Sequence, residues 1–352
     1  MTTSVRCGLF PFRPNIIMEV RAKKALGQHF LVDQGAAQRI VAALEPVDGR
    51  SVSTRPAEDG TEQQSCDVGS PRAAGYVRGG ALDRGISKTR DVLEIGPGMG
   101  VLTQYLLKRE DIDLKMVELD EESVNYLLTH FNGMQGRLFL ADYLKLNVDH
   151  LFKGPYRIIG NFPYNISSQI FFKILESRDR IPEVVCMIQK EVAERIAEGP
   201  GSKTYGILSV LLQAWYDIEY LFTVEPGAFA PPPKVRSAVI RLRRNGRTAL
   251  FLDKPCKSST YAKASGENVP DVLKQMTDNQ TLVDERLFKT VVKTAFNQRR
   301  KTLRNALKPL LNADAPGYAE FVADPVFDLR AERLSVEDFI DLTAKIAGHL
   351  NG

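Results

Sequence analysis

Short apolar blocks punctuate the chain between residues 91 and 244. Val92-Leu93-Glu94-Ile95, Leu114–Leu119, Arg137–Leu140, Tyr156–Ile159, Val184–Ile188 and Ala238–Leu242 have the length and side-chain types of buried strands. Between them, Val101, Leu102, Tyr105 and Leu106, and then Ile166–Leu175, repeat at helical spacing. Strands alternating with helices predict an α/β chain built on a doubly wound parallel sheet. After residue 281 the period changes. The spacing predicts one long helix over Leu287–Leu311, with Phe296, Leu303, Leu307 and Leu310 on one face. Phe321, Leu329, Leu334, Phe339 and Leu342 predict two or three further helices, which complete a small C-terminal all-helical domain.

Three stretches fall outside this pattern. Residues 48–88 are rich in Gly, Ser, Thr, Arg and Asp, and bury too little apolar surface to offset the entropy of ordering. A second interruption, about 246–281, carries Lys254, Lys257, Lys263 and Ser258-Ser259-Thr260. Both read as solvated loops. The first 19 residues read as a disordered extension, with a targeting segment or an over-extended start before Met18 as the other readings. The expected division is therefore 1–19 extension, 20–245 α/β domain with insertion 48–88, 246–281 linker and 282–352 helical domain. Pro231-Pro232-Pro233 cannot lie inside a central strand. It reads as a rigid wall after Phe229, leading into an edge strand at Ala238–Leu242.

Composition narrows the partners. The chain has 47 basic and 43 acidic residues among 352, so nucleic-acid binding must come from local patches rather than bulk charge. Arg300, Arg304 and Lys308 would form such a stripe at i, i+4, i+8 spacing. Cys7, Cys66, Cys186 and Cys256 are scattered, which argues against a zinc site or a disulfide framework and fits a reducing compartment. Cys186 sits in a strand and reads as a small core hydrophobe. No apolar run approaches the roughly 20 residues that span a bilayer.

The chemistry concentrates where strands end. Asn161-Phe162-Pro163-Tyr164 follows the Tyr156–Ile159 block. A carboxamide, a fixed turn and an aromatic face thus meet at a strand's carboxyl end, where open α/β sheets bind ligands. An exocyclic amine on a flat base needs such a set: two acceptors for its N–H bonds and a ring to stack on. The plainer reading makes Asn161 and Pro163 turn formers only. Upstream, Gly96-Pro97-Gly98-Met99-Gly100 follows Glu94 and Ile95. A dinucleotide fingerprint would place its third glycine at position 101, which is Val. The spacing favours S-adenosylmethionine instead. Glu118 stands about 20 residues further on, where an acid accepts from ribose hydroxyls, and Asp120 is the alternative acceptor or a helix cap. Asp142 closes the next strand and can accept from an adenine amino group.

With these residues in one register, the chain resembles the small-subunit (16S) ribosomal RNA adenine N6-dimethyltransferase family. Lys24-Ala25-Leu26-Gly27-Gln28-His29-Phe30-Leu31, Leu93–Gly100, Val117–Asp120, Gly160–Ile166, Gly227–Val239 and Phe296–Arg304 carry the resemblance. It covers roughly residues 20–47, 89–244 and 282–345. It implies a Rossmann-like S-adenosylmethionine-dependent methyltransferase sheet with a helical RNA-binding domain. It also implies that His29, Leu31, Gly96, Gly98, Glu118, Asp142 and Asn161 hold the donor. Asn161 and the Phe162 carbonyl would take the target amine, and Tyr164 and Phe229 would sandwich the target base. Position 162 is Phe where many relatives have Leu, and position 29 is His where many have Asn.

The implied reaction is N6,N6-dimethylation of two adjacent adenines in a hairpin loop near the 3′ end of 16S rRNA, on a small-subunit precursor during ribosome biogenesis. A cytoplasmic monomer needing neither metal nor membrane is expected. Asn-Pro-Pro-Tyr-type motifs also serve DNA adenine and protein glutamine methyltransferases, but the opening motif and helical domain argue against both. The Phe296–Lys301 run argues against a 23S-type resistance enzyme. A non-catalytic assembly factor would be expected to lack Glu118 or Asn161.

Overall fold

The computed structural model describes residues 23, 28–47, 89–252 and 281–351. The expected N-terminal extension, insertion 48–88, residues 253–280, and Cys7, Cys66 and Cys256 lie outside the described residues. The chain opens with β1 (Phe30–Leu31) and α1 (Gln34–Ala42), then resumes at β2 (Asp91–Ile95) and α2 (Thr103–Leu106). It continues through β3 (Asp113–Glu118), α3 (Glu121–His130), β4 (Leu138–Leu140), β5 (Arg157–Asn161) and α4 (Ser167–Glu176). Next come β6 (Glu183–Gln189), α5 (Lys190–Ala197), α6 (Ile207–Gln213), β7 (Tyr216–Val224), β8 (Phe229–Ala230) and β9 (Ser237–Arg244). Strands β4, β3, β2, β5, β6, β9 and β7 form one sheet in that order, parallel from β4 to β6, with β9 antiparallel to both its neighbours.

The apolar blocks are continuous because the central strands are covered on both faces. Successive residues alternate between two cores. Val92, Ile159, Val185, Met187 and Val239 pack against Ala37, Ile40, Leu102 and Leu106. Leu93, Ile158, Val184, Cys186 and Ile240 face the other way, toward Ile170, Phe171, Ile174 and Leu211. Cys186 is a fully buried free cysteine, and burial pushes its thiol pKa up.

The second core extends into the C-terminal helices. Phe288, Val291, Val292 and Ala295 of α7 (Glu285–Asn297) and Phe339 of α10 (Val336–Asn351) belong to the same apolar cluster as the sheet. Before α7, β10 (Leu250–Leu252) pairs with β11 (Thr281–Val283), so both ends of the expected linker are strand. Between α7 and α10 lie α8 (Leu303–Ala306) and α9 (Tyr318–Val322).

Two expectations are corrected. Ala238–Leu242 is not an edge strand: β9 lies between β6 and β7, and Ala238, Val239, Ile240 and Leu242 are fully buried. The prolines end at position 233, so every β9 amide remains free to pair on either side. The helix over Leu287–Leu311 is broken. The apolar spacing of Val291, Val292, Ala295 and Phe296 next falls on Arg299 and Arg300, and α7 stops at Asn297. Thr302 then starts α8 from an extended conformation, and a 3-10 turn follows at Lys308–Leu310.

Gly160 lets β5 approach β2: a Cβ there would stand 2.5 Å from the Ile95 carbonyl oxygen. Gly160→Ala should lower unfolding stability in urea by about 1–3 kcal/mol, the usual cost of overpacking, and should weaken donor binding. Gly154→Ala, where an added Cβ meets nothing within 4 Å, should stay within about 0.5 kcal/mol of wild type. Equal stability of the two variants would refute the strand contact as the constraint.

Candidate active site

The site begins where β2 runs out. The backbone turns through Gly96, Gly98 and Gly100 with φ of 67, 56 and 79°, a region costly for residues with a Cβ. The Gly96 amide donates to the Val117 carbonyl at 2.9 Å. The glycine turn is thereby sewn to β3, which delivers Glu118. Glu118 Oε2 accepts from Gly98 N at 3.0 Å, and Oε1 from Leu119 N and Asp120 N at 2.8 and 2.9 Å. Burial raises the Glu118 pKa, and these three amides oppose the rise. Asp120 is the α3 cap, accepting from Ser123 N at 3.2 Å, and it pairs with Lys23 at 2.5 Å. It does not line the cavity, so the acid that does is Glu118.

Asn161 ends β5 beside that turn. Its Nδ2 donates to the His29 carbonyl at 3.1 Å. Among the described residues no donor is assigned to Oδ1, which stays available as an acceptor. Phe162 is buried, donates its backbone N–H to Met187 O at 3.0 Å, and sets its ring edge-on to Phe171. Its carbonyl precedes Pro163, whose ring stiffens the turn. The Tyr164 hydroxyl bonds Ser237 Oγ, and the His29 ring stacks on Tyr164 at 5.4 Å. His29 Nδ1 donates to the Pro231 carbonyl at 3.1 Å. Phe30, the next residue and the first of β1, lies against Gly98.

These groups enclose a cavity of about 270 Å³ at the carboxyl ends of β2, β3 and β5, where the strand order switches direction. His29, Leu31, Gly96, Gly98, Glu118, Asp142, Asn161, Phe162 and Tyr164 all line it. Its wall carries three carboxyl groups, Glu94, Glu118 and Asp142, and no Lys or Arg among the described residues. Such a wall suits a cationic ligand. Asp142 accepts from Leu144 N at 2.9 Å and keeps one oxygen 3.6 Å from Lys145. Glu94 had stood out only as part of a motif. It is 1% exposed, accepts from Thr103 Oγ1 at 2.8 Å, and burial pushes its pKa up to about 8. Phe30, Met99 and Leu119 also line the wall, and no sequence pattern distinguished them from core residues.

Two groups of expected residues stand elsewhere. Phe229 is 3% exposed and does not line the cavity. Its backbone pairs with Leu31, and its ring packs in the core with Leu31, Val224 and Val239, while Ala230 takes the outward place in β8. In this structure the ring facing Tyr164 is His29. Arg300, Arg304 and Lys308 do not share one helical face, because the helix breaks between them. Arg300 lies exposed in the turn, Arg304 on α8 pairs with Asp328 at 2.6 Å, and Lys308 opens the 3-10 turn.

Residues 19–253 match the family model of ribosomal RNA adenine dimethylase. The chain belongs to the ribosomal RNA adenine dimethylase family. A relative from Parabacteroides distasonis, named ribosomal RNA small subunit methyltransferase A, is 48% identical over 94% of this chain and 96% of its own. One of the same name from Bacteroides thetaiotaomicron is 45% identical over 93% and 94%. A crystal structure of a Plasmodium falciparum dimethyladenosine transferase shares the fold, with a TM-score of 0.52, 21% identity, and coverage of 74% of this chain and 89% of that one. The chain is accordingly an S-adenosylmethionine-dependent methyltransferase, and the glycine cradle and acidic wall fit that donor. Among the described residues no cluster of His, Cys, Asp or Glu could hold a metal ion, and no helix is long and apolar enough to cross a membrane.

Glu118→Ala should weaken donor binding by about 1–3 kcal/mol, the cost of lost bonds to a charged group. Unchanged affinity in calorimetry would remove Glu118 from the site. The raised Glu94 pKa gives a pH signature. Below its ordinary 4.5 it is protonated in folded and unfolded chains alike. Between 4.5 and about 8 the unfolded chain releases the proton and the folded chain keeps it, so stability falls across that window and levels off above it. Glu94→Gln keeps an acceptor for Thr103 and cannot ionise. Its stability advantage over wild type should grow from pH 5 to pH 8.5 by on the order of a few kcal/mol, read from paired urea titrations. A constant difference would show that Glu94 ionises normally.

Proposed function

We propose that this chain transfers methyl groups from S-adenosylmethionine to N6 of two adjacent adenines in a hairpin loop near the 3′ end of 16S rRNA, yielding N6,N6-dimethyladenosine on a small-subunit assembly intermediate. The observation that carries this reading is the Asn161 carboxamide. The His29 carbonyl takes its N–H, leaving Oδ1 as an acceptor beside Tyr164 at the acidic cavity. The names of the bacterial relatives support the small-subunit substrate over the 23S one. A cytoplasmic monomer is the setting this reading implies.

The donor supplies an already activated methyl on a sulfonium. The residues hold and aim. Gly96 and Gly98 let the backbone come close to the donor's amino-acid portion, Glu118 accepts from its ribose and Asp142 from its adenine, with His29 and Leu31 closing the near side. The target amine is a poor nucleophile because its lone pair is delocalised into the ring. Asn161 Oδ1 and the Phe162 carbonyl accept its two N–H bonds, which localises the pair and points it at the methyl group. Such positioning supplies much of the rate. Stacking on Tyr164, worth about 1–3 kcal/mol per base, offsets part of the few kcal/mol of unstacking. Arg300, Arg304 and Lys308 contribute phosphate contacts as separate points on the helical region rather than as one stripe.

Mass spectrometry of nuclease-digested RNA after reaction with unmethylated small subunits should show N6,N6-dimethyladenosine. Asn161→Ala should reduce that product at least a hundredfold, on the order of the loss of an essential transition-state contact. Product confined to DNA, to protein or to large-subunit RNA would overturn the assignment.

A further inference from the structure

We propose that Ser237 is a positioning residue for the transfer, setting through its hydroxyl the plane of the Tyr164 ring on which the target base stacks. The inference rests on the function proposed above and adds a residue that this function did not use.

Ser237 opens β9 and is fully buried, followed by the apolar Ala238, Val239 and Ile240. Its neighbours across the sheet are Gln189 of β6 and Val224 of β7. A buried hydroxyl in such a strand is costly unless it is bonded. The partner of Ser237 Oγ is the Tyr164 hydroxyl, 73 residues away in sequence and on the loop after β5. The ring of Tyr164 is thus tied at both ends. Its backbone sits in the turn behind Pro163, where Ile166 N donates to Pro163 O at 3.2 Å, and its hydroxyl is pinned to β9.

Without the far tie the ring could swing about its side-chain torsions while remaining in the cavity wall. With it, the face toward the cavity is fixed before a base arrives. His29 occupies part of that face, with ring planes 30° apart. Burial raises the Tyr164 pKa, against the pull of the Ser237 bond, so the group is a phenol able to donate. Stacking depends on ring tilt, and a wall held by a strand of the central sheet is pre-organised where a free ring is not.

The test is a double-mutant cycle on the full-length chain. Ser237→Ala, Tyr164→Phe and the double variant are assayed with labelled donor on unmethylated small subunits, alongside donor affinity and melting temperature. Each single variant should lower kcat by about five- to tenfold, the worth of one hydrogen bond, with donor Kd within about twofold of wild type. The double variant should fall no further than the weaker single one, because both remove the same bond. Wild-type kcat in Ser237→Ala, or a product of the two losses in the double variant, overturns the proposal. Should Ser237→Ala fail to fold, Tyr164→Phe removes the bond from the half-exposed side, and wild-type kcat there overturns it equally. A wild-type chain that leaves rRNA adenines unmethylated takes down the function and this proposal together. An active wild type with indifferent variants takes down only the proposal.

Discussion

The close approach of β5 to β2 is the constraint on which the site depends. Both strands are short, and at Gly160 only a residue without a Cβ can lie against the Ile95 carbonyl. That crossing places Asn161 next to Gly96: a Cβ on Gly96 would lie 3.9 Å from the Asn161 carbonyl oxygen. The glycine turn and Asn161 are therefore neighbours because two backbones touch, before any side chain is considered. β3 enters through the Gly96–Val117 bond, and Glu118 then seals the turn from below. The residue before β1 enters last, when Asn161 donates to the His29 carbonyl. A fault in the first contact would propagate through each of these in turn.

Charge is partitioned between the cavity and the surface outside it. The cavity wall holds three carboxyl groups and no Lys or Arg among the described residues, which favours a cationic donor and disfavours phosphates. Basic residues such as Lys234, Arg236 and Arg300 are exposed outside it. A phosphate backbone is therefore disfavoured at the cavity wall itself, whereas an uncharged base meets no such penalty there. Glu94 sharpens this. Held largely neutral near pH 7 by burial, it lines the pocket without placing a full second charge beside Glu118.

Much of the sheet and of the cavity lining was legible because the relevant signals are local. The blocks around Val92, Leu114 and Ile158 announce buried strands by continuity, and Gly96, Glu118, Asp142 and Asn161 each stand at a strand's end, where ligands bind. What escaped was set by tertiary contacts. Ala238–Leu242 has the same composition whether it is central or at an edge, and only its pairing with both β6 and β7 decides. Phe229 carries an aromatic ring in a functional-looking run, yet the two-residue alternation of β8 sends that ring inward. Arg300, Arg304 and Lys308 fit a helical spacing that the chain abandons at Gln298. There Arg299 is drawn to Ser202 O at 3.1 Å and to Glu332 at 3.4 Å. Ser237 carries no local signal of its bond to Tyr164, since that partner is 73 positions away in sequence.

The amino ends of the strands hold the described residues that flank positions 48–88. Residues 44–47 approach the sheet from beneath. Arg157, first residue of β5, donates to Glu45 O at 2.5 Å, and Glu183, first residue of β6, accepts from Glu45 N at 3.3 Å. Arg109 holds Leu44 O at 2.7 Å, and Asp111 accepts from Val47 N at 3.3 Å. On the return side Thr89 donates to Pro155 O at 2.7 Å, and Arg90 to Glu110 O at 2.6 Å. Burial lowers the Arg157 pKa and raises that of Glu183, so this pair pays more in desolvation than it recovers in attraction. Its value is geometric: both partners hold the Glu45 backbone, one at its carbonyl and one at its amide. Both anchors lie at the amino ends of the strands, whereas the cavity opens at the carboxyl ends. The five residues of β2 separate them by about 13 Å at the usual strand rise of roughly 3.3 Å per residue. The described residues on either side of 48–88 therefore meet the sheet at the end opposite to Gly96, Glu118 and Asn161, so their contacts bear on the strand register that the two cores also hold.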